Sequence, residues 1–560
     1  MPSGTGSGPG SDPLIARDDA MADGGGAVDH RGRPADRAST GGWSSALFII
    51  AVEIAERFAF YGVSSNLISY LTGPLGEGNA AAAAAINAWN GVAQLLPLLG
   101  GALADKWLGR YRTITLASLL YILGLGMLAF STFLSSGSHH QCTTATAGGK
   151  SCTPSTLQVA IFYVSLYIVA VAQGGHKPCV QAFGADQFDQ SDPKESVSRS
   201  SFFNWWYFGM CAGTAVTLVF LSYVQDNIGW GLGFGIPCAV MAAALVVFLL
   251  GTRTYRYYIS SGKRSLFARA GEAFTAWRSR RNAERAADST ESRVDEEEQG
   301  VVSKSGVVAE AKAILRLFPI WATCLIYAVA FAQSSTFFTK QAATLDRRVG
   351  QRLKVPPAAL QSFISITIVV FIPLYDRVIV PLARRYSGKP SGITMLQRIG
   401  IGMALSLVSM VIAALVEIKR LRVARDAGLV DQPKVPVPMS LWWMVPQYVL
   451  FGAADVFTMV GLQEFFYDQV PDKLRSLGLA LYLSIFGVGS FISSALVSGI
   501  DRATTARGRS WFSNNLNRGH LDYFYWLIAA LSALELLAYV FFAVTYKYKN
   551  KGAVNQNISS

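Results

Sequence analysis

The sequence predicts an all-α membrane protein with twelve transmembrane helices in two six-helix bundles, and three observations carry that prediction. Only 15% of the 560 residues are charged while 51% are hydrophobic, against about 25% charged residues in an ordinary soluble domain. Twelve apolar segments of membrane-crossing length follow one another: residues 43–71, 80–103, 114–133, 157–180, 202–221, 233–250, 314–338, 360–382, 393–416, 441–465, 477–497 and 524–544. A long polar stretch, residues 252–312, separates the first six from the last six, as expected of two bundles that share one interface. The chain accordingly divides into a disordered cytoplasmic tail (1–42), an N-terminal bundle (43–251), a cytoplasmic linker (252–312), a C-terminal bundle (313–546) and a short cytoplasmic tail (547–560).

The tail is rich in Gly, Ser, Ala and Asp and lacks the apolar core of a cleavable leader, so the first span is expected to act as its own insertion signal. That span holds three charges, Glu53, Glu56 and Arg57. At 100° per residue they fall within one narrow sector of a helix, so all three face the same neighbour. Charges at that depth are costly unless they pair or line a water-filled cavity, which makes the triplet the first candidate site. Basic residues set the orientation: Lys106, Arg110 and Arg112, then Arg384, Arg385 and Lys389, then Lys473 and Arg475, and finally Lys547, Lys549 and Lys551 all fall inside if the amino terminus is inside. Three clusters oppose this in the second half: Arg347, Arg348 and Arg352; Lys419, Arg420 and Arg422; and Arg502, Arg507 and Arg509. Early helices usually dominate orientation, so the amino terminus is placed inside.

Other features exclude classes of function. The net charge of +13 comes without any groove-reading motif, and its bases sit in loops, so the anionic membrane surface is the expected partner and nucleic acid is not. No nucleophile with a base, phosphate-binding glycine loop or metal set is found, which argues against an enzyme and against a metal or other cofactor. Cys179, Cys211, Cys238 and Cys324 read as packing residues in apolar runs, whereas Cys142 and Cys152 share a polar loop and form a possible disulfide. The linker's basic block, interleaved with Phe267, Phe274 and Trp277, reads either as a helix on the inner leaflet or as a solvated tether. Pro178, Pro373 and Pro446 are expected to kink their spans. His176 is read as a helix-packing residue, because its neighbour Lys177 points about 100° away from it.

The motifs add a resemblance. Gly101, Asp105, Gly109 and Arg110 form a Gly-x-x-x-Asp-x-x-x-Gly-Arg pattern after the second span, which resembles the cytoplasmic gate signature of the major facilitator superfamily. Glu53-x-x-Glu56-Arg57-Phe58, Gln173-Gly174-Gly175-His176-Lys177-Pro178-Cys179 and Phe183-Gly184-Ala185-Asp186-Gln187-Phe188-Asp189 occur in order with Phe202-Phe203-Asn204-Trp205, Phe331-Ala332-Gln333-Ser334-Ser335, Asp346-Arg347 and Tyr523-Phe524-Tyr525-Trp526. Together, from about residue 28 to 549, they resemble the proton-dependent oligopeptide transporter family, and more narrowly its plant nitrate/peptide branch.

The resemblance implies a multi-pass carrier of the plasma or vacuolar membrane, a monomer or weak dimer, that moves nitrate or di- and tripeptides with protons by alternating access. In that reading Glu53, Glu56 and Arg57 couple protons, and Arg57 and Lys177 bind substrate. Asp455 replaces the glutamate expected to hold a peptide's amino terminus, one methylene shorter. Phe331 stands where part of the family carries a nitrate-binding histidine. Tyr61, one turn after Arg57, either bonds substrate or packs. A carrier of another organic anion, such as a hormone or glycoside, and a non-transporting membrane sensor are the alternatives.

Overall fold

A computed structural model describes residues 27–36, 39–137, 142–144, 150–152, 154–189, 192–258, 314–350, 353–387, 393–470 and 475–546. Helices occupy each of the segments expected to be apolar spans. The first half contains α1 (Gly42–Ser64), α2 (Asn79–Leu103), α3 (Arg110–Gly137), α4 (Thr156–Ala185), α5 (Pro193–Asn227) and α6 (Trp230–Leu250). In the second half, α7 is a bent pair, Ile314–Ala322 and Leu325–Ala343, and α8 covers Pro357–Tyr386. They are followed by α9 (Met395–Asp426), α10 (Val445–Asp468), α11 (Arg475–Thr505) and α12 (Leu521–Thr545). Among the described residues, eight helices are long and apolar enough to cross a membrane, or nine if the two arms of α7 count as one. α1 falls outside that number because it carries Glu53, Glu56 and Arg57, and α2 because Asn87, Asn90 and Gln94 dilute its apolarity.

Local sequence explains the ends and bends. Ser155 caps α4 by accepting the Gln158 amide, and Thr394 opens α9 with a reciprocal capping box to Gln397. Pro373 lies inside α8 two residues before a π-helical turn, Tyr375–Ile379, so the helix is irregular over this stretch. Pro446, expected to kink its span, instead sits in the first turn of α10, where its lost donor costs nothing. The bend of 44° in α7 falls at Thr323–Cys324, about one turn after Pro319, which is not among the prolines the sequence reading singles out. On α12, Leu534, Leu537, Phe541 and Val544 recur at helical spacing and are 64–82% exposed. A charge-free stripe of this kind suits a lipid-facing surface.

Packing groups the helices by halves. In the first half α3 lies along α4 and α6, and α1 along α5, α6 and α4; in the second, α9 packs on α10 and α12, and α7 on α11. The halves meet where α2 lies against α11 and α5 against α8. Among the described residues, the side-chain hydrogen bonds between the halves gather towards one end. Gln361 donates to the Ser65 carbonyl (2.8 Å), Lys340 to Thr72 (3.0 Å), Asn79 to the Ser513 carbonyl (2.9 Å) and Asn87 to Ser493 (2.9 Å). Arg347 reaches Asp226 at 3.5 Å. This is the end remote from the start of α1.

Two sequence expectations need correction. The tail was expected to be disordered through residue 42, but Ala27–Val28 pairs antiparallel with Tyr257–Tyr258, and Asp29 caps the turn to Arg33. The backbone donors of Arg33 and Arg31 and the Arg33 guanidinium hold the Asp29 carboxyl down at about 2. α9 was expected to end near residue 416 but runs to Asp426, so Arg420 is not a loop charge opposing the orientation rule. It is a fully buried helical residue paired with Glu417. The linker beyond Tyr258, and with it the choice between surface helix and tether, lies outside the described residues.

Candidate functional site

α1 positions Glu53, Glu56 and Arg57 on its buried face, where they are 1%, 0% and 3% exposed. The i,i+4 spacing lets Arg57 Nε donate to Glu53 Oε1 at 2.9 Å. Its Nη2 lies 2.7 Å from Glu56 Oε2 without the alignment of a hydrogen bond. The other oxygen of Glu56 accepts the hydroxyl of Tyr121, from α3, at 2.8 Å. One guanidinium is thus shared between two carboxylates, as the sequence expected, while Tyr121 is a partner that nothing in the chain's order identifies.

Lys177, on α4, comes within electrostatic range of Arg57, Glu56 and Glu53. Its ammonium does not pair with the glutamates: Nζ donates to Gln94 of α2 at 3.2 Å. It is half-buried, and its bond to a neutral amide is the weaker kind that an incoming anion can replace. α4 reaches this position through a close approach to α2. A Cβ on Gly100 would come within 2.0 Å of the Gly174 carbonyl oxygen, so only glycine lets the two backbones meet. Gly101, singled out by the motif, is less constrained, its nearest neighbour being Pro178 at 3.4 Å.

The second half contributes Asp455 on α10, which is 3% exposed. It accepts a hydrogen bond from the Tyr327 hydroxyl of α7, and among the described residues it makes no ion pair. Tyr327 sits just past the break in α7. There the Glu535 carboxylate, from α12, accepts the Ile326 amide (2.6 Å) and the Tyr327 amide (3.3 Å). An acid at the first turn of a helix arm satisfies donors the bend leaves open. Phe331, one turn after Tyr327, packs against Phe451 and Phe486 with ring centroids 6.0 and 5.7 Å away. Tyr61 stands between the halves, half-buried, and interacts electrostatically with both Arg57 and Asp455. The arrangement therefore brings Glu53, Glu56, Arg57, Lys177 and Tyr61 together, with Asp455 of the other half in electrostatic range of Tyr61 and Phe331 packed on its own half's Phe451 and Phe486.

The remaining candidates have other surroundings. The Asp105 side chain lies outside the described residues. Gly109, at φ +75°, ends the π-helical turn Ala104–Leu108 in a conformation that favours glycine. Arg110 pairs with Asp186, at the end of α4, a contact within the first half. The motif around Asp186 is a structural hub rather than a substrate contact. Gln187 donates to the carbonyls of Phe183 and Arg256, Arg256 pairs with Glu195 at 2.7 Å, and Phe188 packs on Trp43. Arg256 thereby holds the Glu195 carboxyl below the usual glutamate range. Cys142 and Cys152 face each other in an antiparallel two-stranded sheet, the register a bridge requires, with side chains outside the described residues. Cys179, Cys211 and Cys324 are buried. Among the described residues, Glu53, Glu56 and His176 are the one group of carboxylate and imidazole ligands within 4.8 Å of one another. Arg57 already binds both carboxylates, a poor environment for a metal ion.

Comparison with known proteins places this arrangement. The model of the POT family matches residues 111–512. Protein NRT1/PTR FAMILY 5.10 of Arabidopsis thaliana is 57% identical over 540 residues, covering 93% of this chain and 96% of that protein. NRT1/PTR FAMILY 5.14 of the same plant is 52% identical over 545 residues, covering 93% and 96%. The crystal structure of an auto-inhibited POT family peptide transporter superposes with a TM-score of 0.69 at 22% identity, covering 91% of this chain and 98% of that one. That of the POT family transporter PepTSo gives 0.67 at 21%, covering 90% and 98%. Fold, sequence and neighbours agree that this chain is a multi-pass membrane transporter, not an enzyme, and that it belongs to the POT family, beside the plant NRT1/PTR proteins.

Proposed function

We propose that the chain is a proton-coupled symporter of small nitrogenous solutes, nitrate or di- and tripeptides, working by alternating access. The observation that carries this reading is the balanced buried cluster of Glu53, Glu56, Arg57 and Lys177, two negative and two positive charges in one place. An anionic substrate group that draws Arg57 or Lys177 to itself leaves one negative charge in excess. A proton taken up by a glutamate restores neutrality, so substrate and proton bind together and each raises the other's affinity by linkage. The structure, with its polar ties between the halves gathered at the end remote from the start of α1, fits a carrier shut on the outer side.

Within that reading, an amine-bearing substrate has one supporting observation. Asp455 is buried with a tyrosine hydroxyl as its partner, and a substrate ammonium would supply the missing positive charge. Phe331 offers no donor or acceptor, so nitrate would rely on Arg57 and Lys177. Two related transporters were solved with sulfate and with 5-aminolevulinic acid, one an anion and one an amino acid. The test is uptake into proteoliposomes of purified protein under an imposed inward proton gradient, with labelled nitrate or labelled dialanine. Accumulation that collapses with the gradient and with Lys177→Ala supports symport and names the substrate class. Gradient-independent entry, or none for either solute, rejects it in favour of another organic anion or a sensor.

A further inference from the structure

The sequence reads His176 as a helix-packing residue that need not share the cavity with Lys177, and its surroundings admit a further role. It is fully buried. A ring nitrogen lies within 4.8 Å of carboxylate oxygens of both Glu53 and Glu56. Among the described residues neither ring nitrogen has a hydrogen-bond partner, nor has Glu53 Oε2, while Glu56 Oε2 has only its ion-pair contact with Arg57 at 2.7 Å. Tyr121, which donates to Glu56, stands edge-on to the imidazole with ring centroids 6.1 Å apart. The charged and titratable groups facing His176 are thus Glu53, Glu56 and Arg57 on α1 and Tyr121 on α3, with Lys177 next on α4 and tied to the neutral Gln94 of α2. α5 carries no acid or base between Arg199 and Asp226.

Packing alone makes little use of an imidazole at this place. Each buried polar group left without a partner costs about 1–3 kcal/mol, and a phenylalanine would fill similar space without that cost. An imidazole is also the side chain whose ordinary titration, near about 6.5, falls in the physiological range.

We propose that His176 is a proton-holding residue of the coupling cluster, giving the transported proton a second seat beside Glu53 and Glu56. The proton enters from solution and binds a ring nitrogen, forming an imidazolium next to two carboxylates. It passes to a glutamate oxygen when the substrate anion has drawn Arg57 away, and returns to solution on the other side as substrate leaves. Only N–H and O–H bonds form and break, and the separation is closed by a side-chain rotation or one water. A divalent ion on the same three ligands is disfavoured by the two cations already there.

This inference rests on the symport reading, and the test separates the two. Full-length protein in proteoliposomes is assayed with labelled nitrate and labelled dialanine over a range of external pH, as wild type, His176→Gln and His176→Phe. Each is also assayed in counterflow exchange at equal pH, where no net proton moves. The expected result is wild-type uptake that rises on acidification, at least about a tenfold loss of gradient-driven uptake with a flattened pH profile in both variants, and counterflow within about twofold of wild type. Wild-type pH dependence retained in His176→Gln, with folding verified by its melting profile, overturns the role of His176 and leaves symport standing. Wild-type uptake indifferent to the gradient overturns symport and this role with it. Zinc inhibition abolished by His176→Gln with an unchanged pH profile would assign the three side chains to a metal and also overturn the proposal.

Discussion

Among the described residues, two carboxylate–guanidinium groups are fully buried, one in each half, and they are finished differently. In α9, Arg420 is saturated. Its Nε and Nη2 donate to Glu417 at 2.8 and 2.6 Å, its Nη1 to Asn517 at 2.8 Å, and Nη2 also to the Leu516 carbonyl at 2.8 Å. In α1, Arg57 is shared by Glu53 and Glu56; among the described residues Glu53 Oε2 has no partner, Glu56 Oε2 has an ion-pair contact with Arg57 but no hydrogen bond, and an imidazole without a hydrogen bond lies beside them. A saturated network has one arrangement and is worth most as a clasp, here holding the 516–517 loop onto α9. An unsaturated one can be rearranged at low cost, which a site that exchanges protons and substrate requires. In the symport reading proposed above, the same residue types thus serve architecture in one half and chemistry in the other, and their hydrogen bonds differ accordingly.

The comparison can be broken at either cluster. The largest effect is expected from Arg420→Ala, which strands Glu417 and should cost about 3–5 kcal/mol of stability, read as a lowered melting midpoint of the purified protein and poor membrane yield. Glu56→Gln should do the reverse, leaving the melting midpoint within about 1 kcal/mol of wild type while gradient-driven accumulation is lost and exchange persists. If both substitutions damage stability alike, the distinction fails.

Smaller effects sharpen it. Asp455→Ala should impair dialanine uptake more than nitrate uptake, and Tyr327→Phe should weaken dialanine affinity by about threefold to tenfold, the worth of one neutral-to-charged hydrogen bond. Equal losses for both solutes would make this pair a packing contact. The smallest concerns Glu195, whose pairing with Arg256 depresses its folded-state titration. Stability from that pair is present above the unfolded value of about 4.3 and is lost as the pH falls through the lower folded value. Arg256 is buried and the Glu195 side chain 21% exposed, so Glu195→Gln, which removes the charge and keeps an amide in its place, should flatten the acid limb of a pH–melting curve.

How far these features were legible depended on whether they are local in sequence. Most helical segments show in hydropathy, because a span must be largely apolar to cross a bilayer, although α1 and α2 fall short by that measure because of their polar residues. Glu53, Glu56 and Arg57 were legible as a cluster because one helical turn brings them together. Their partners were not: Tyr121, His176 and Gln94 arrive from three other helices, and which face each helix presents is set by packing. The adjacency of His176 and Lys177 was misleading for this reason, since side chains about 100° apart can both line a cavity that several helices enclose. The break in α7 does have a local signal in Pro319, about one turn before it, whereas the role of Glu535 shows only once α12 is placed alongside. Arg420 was assigned to a loop because its charge masked the continuation of α9, while the glutamate one turn earlier at Glu417 was the available signal.

The account turns on the unsaturated cluster in α1 carrying the proton. The direct measurement is substrate-evoked proton flux, followed by a pH-sensitive dye inside proteoliposomes, for wild type and Glu56→Gln side by side. The account predicts acidification of the wild-type lumen when dialanine or nitrate is added outside, and none for Glu56→Gln, although that variant still exchanges labelled substrate. Undiminished acidification by Glu56→Gln would contradict it.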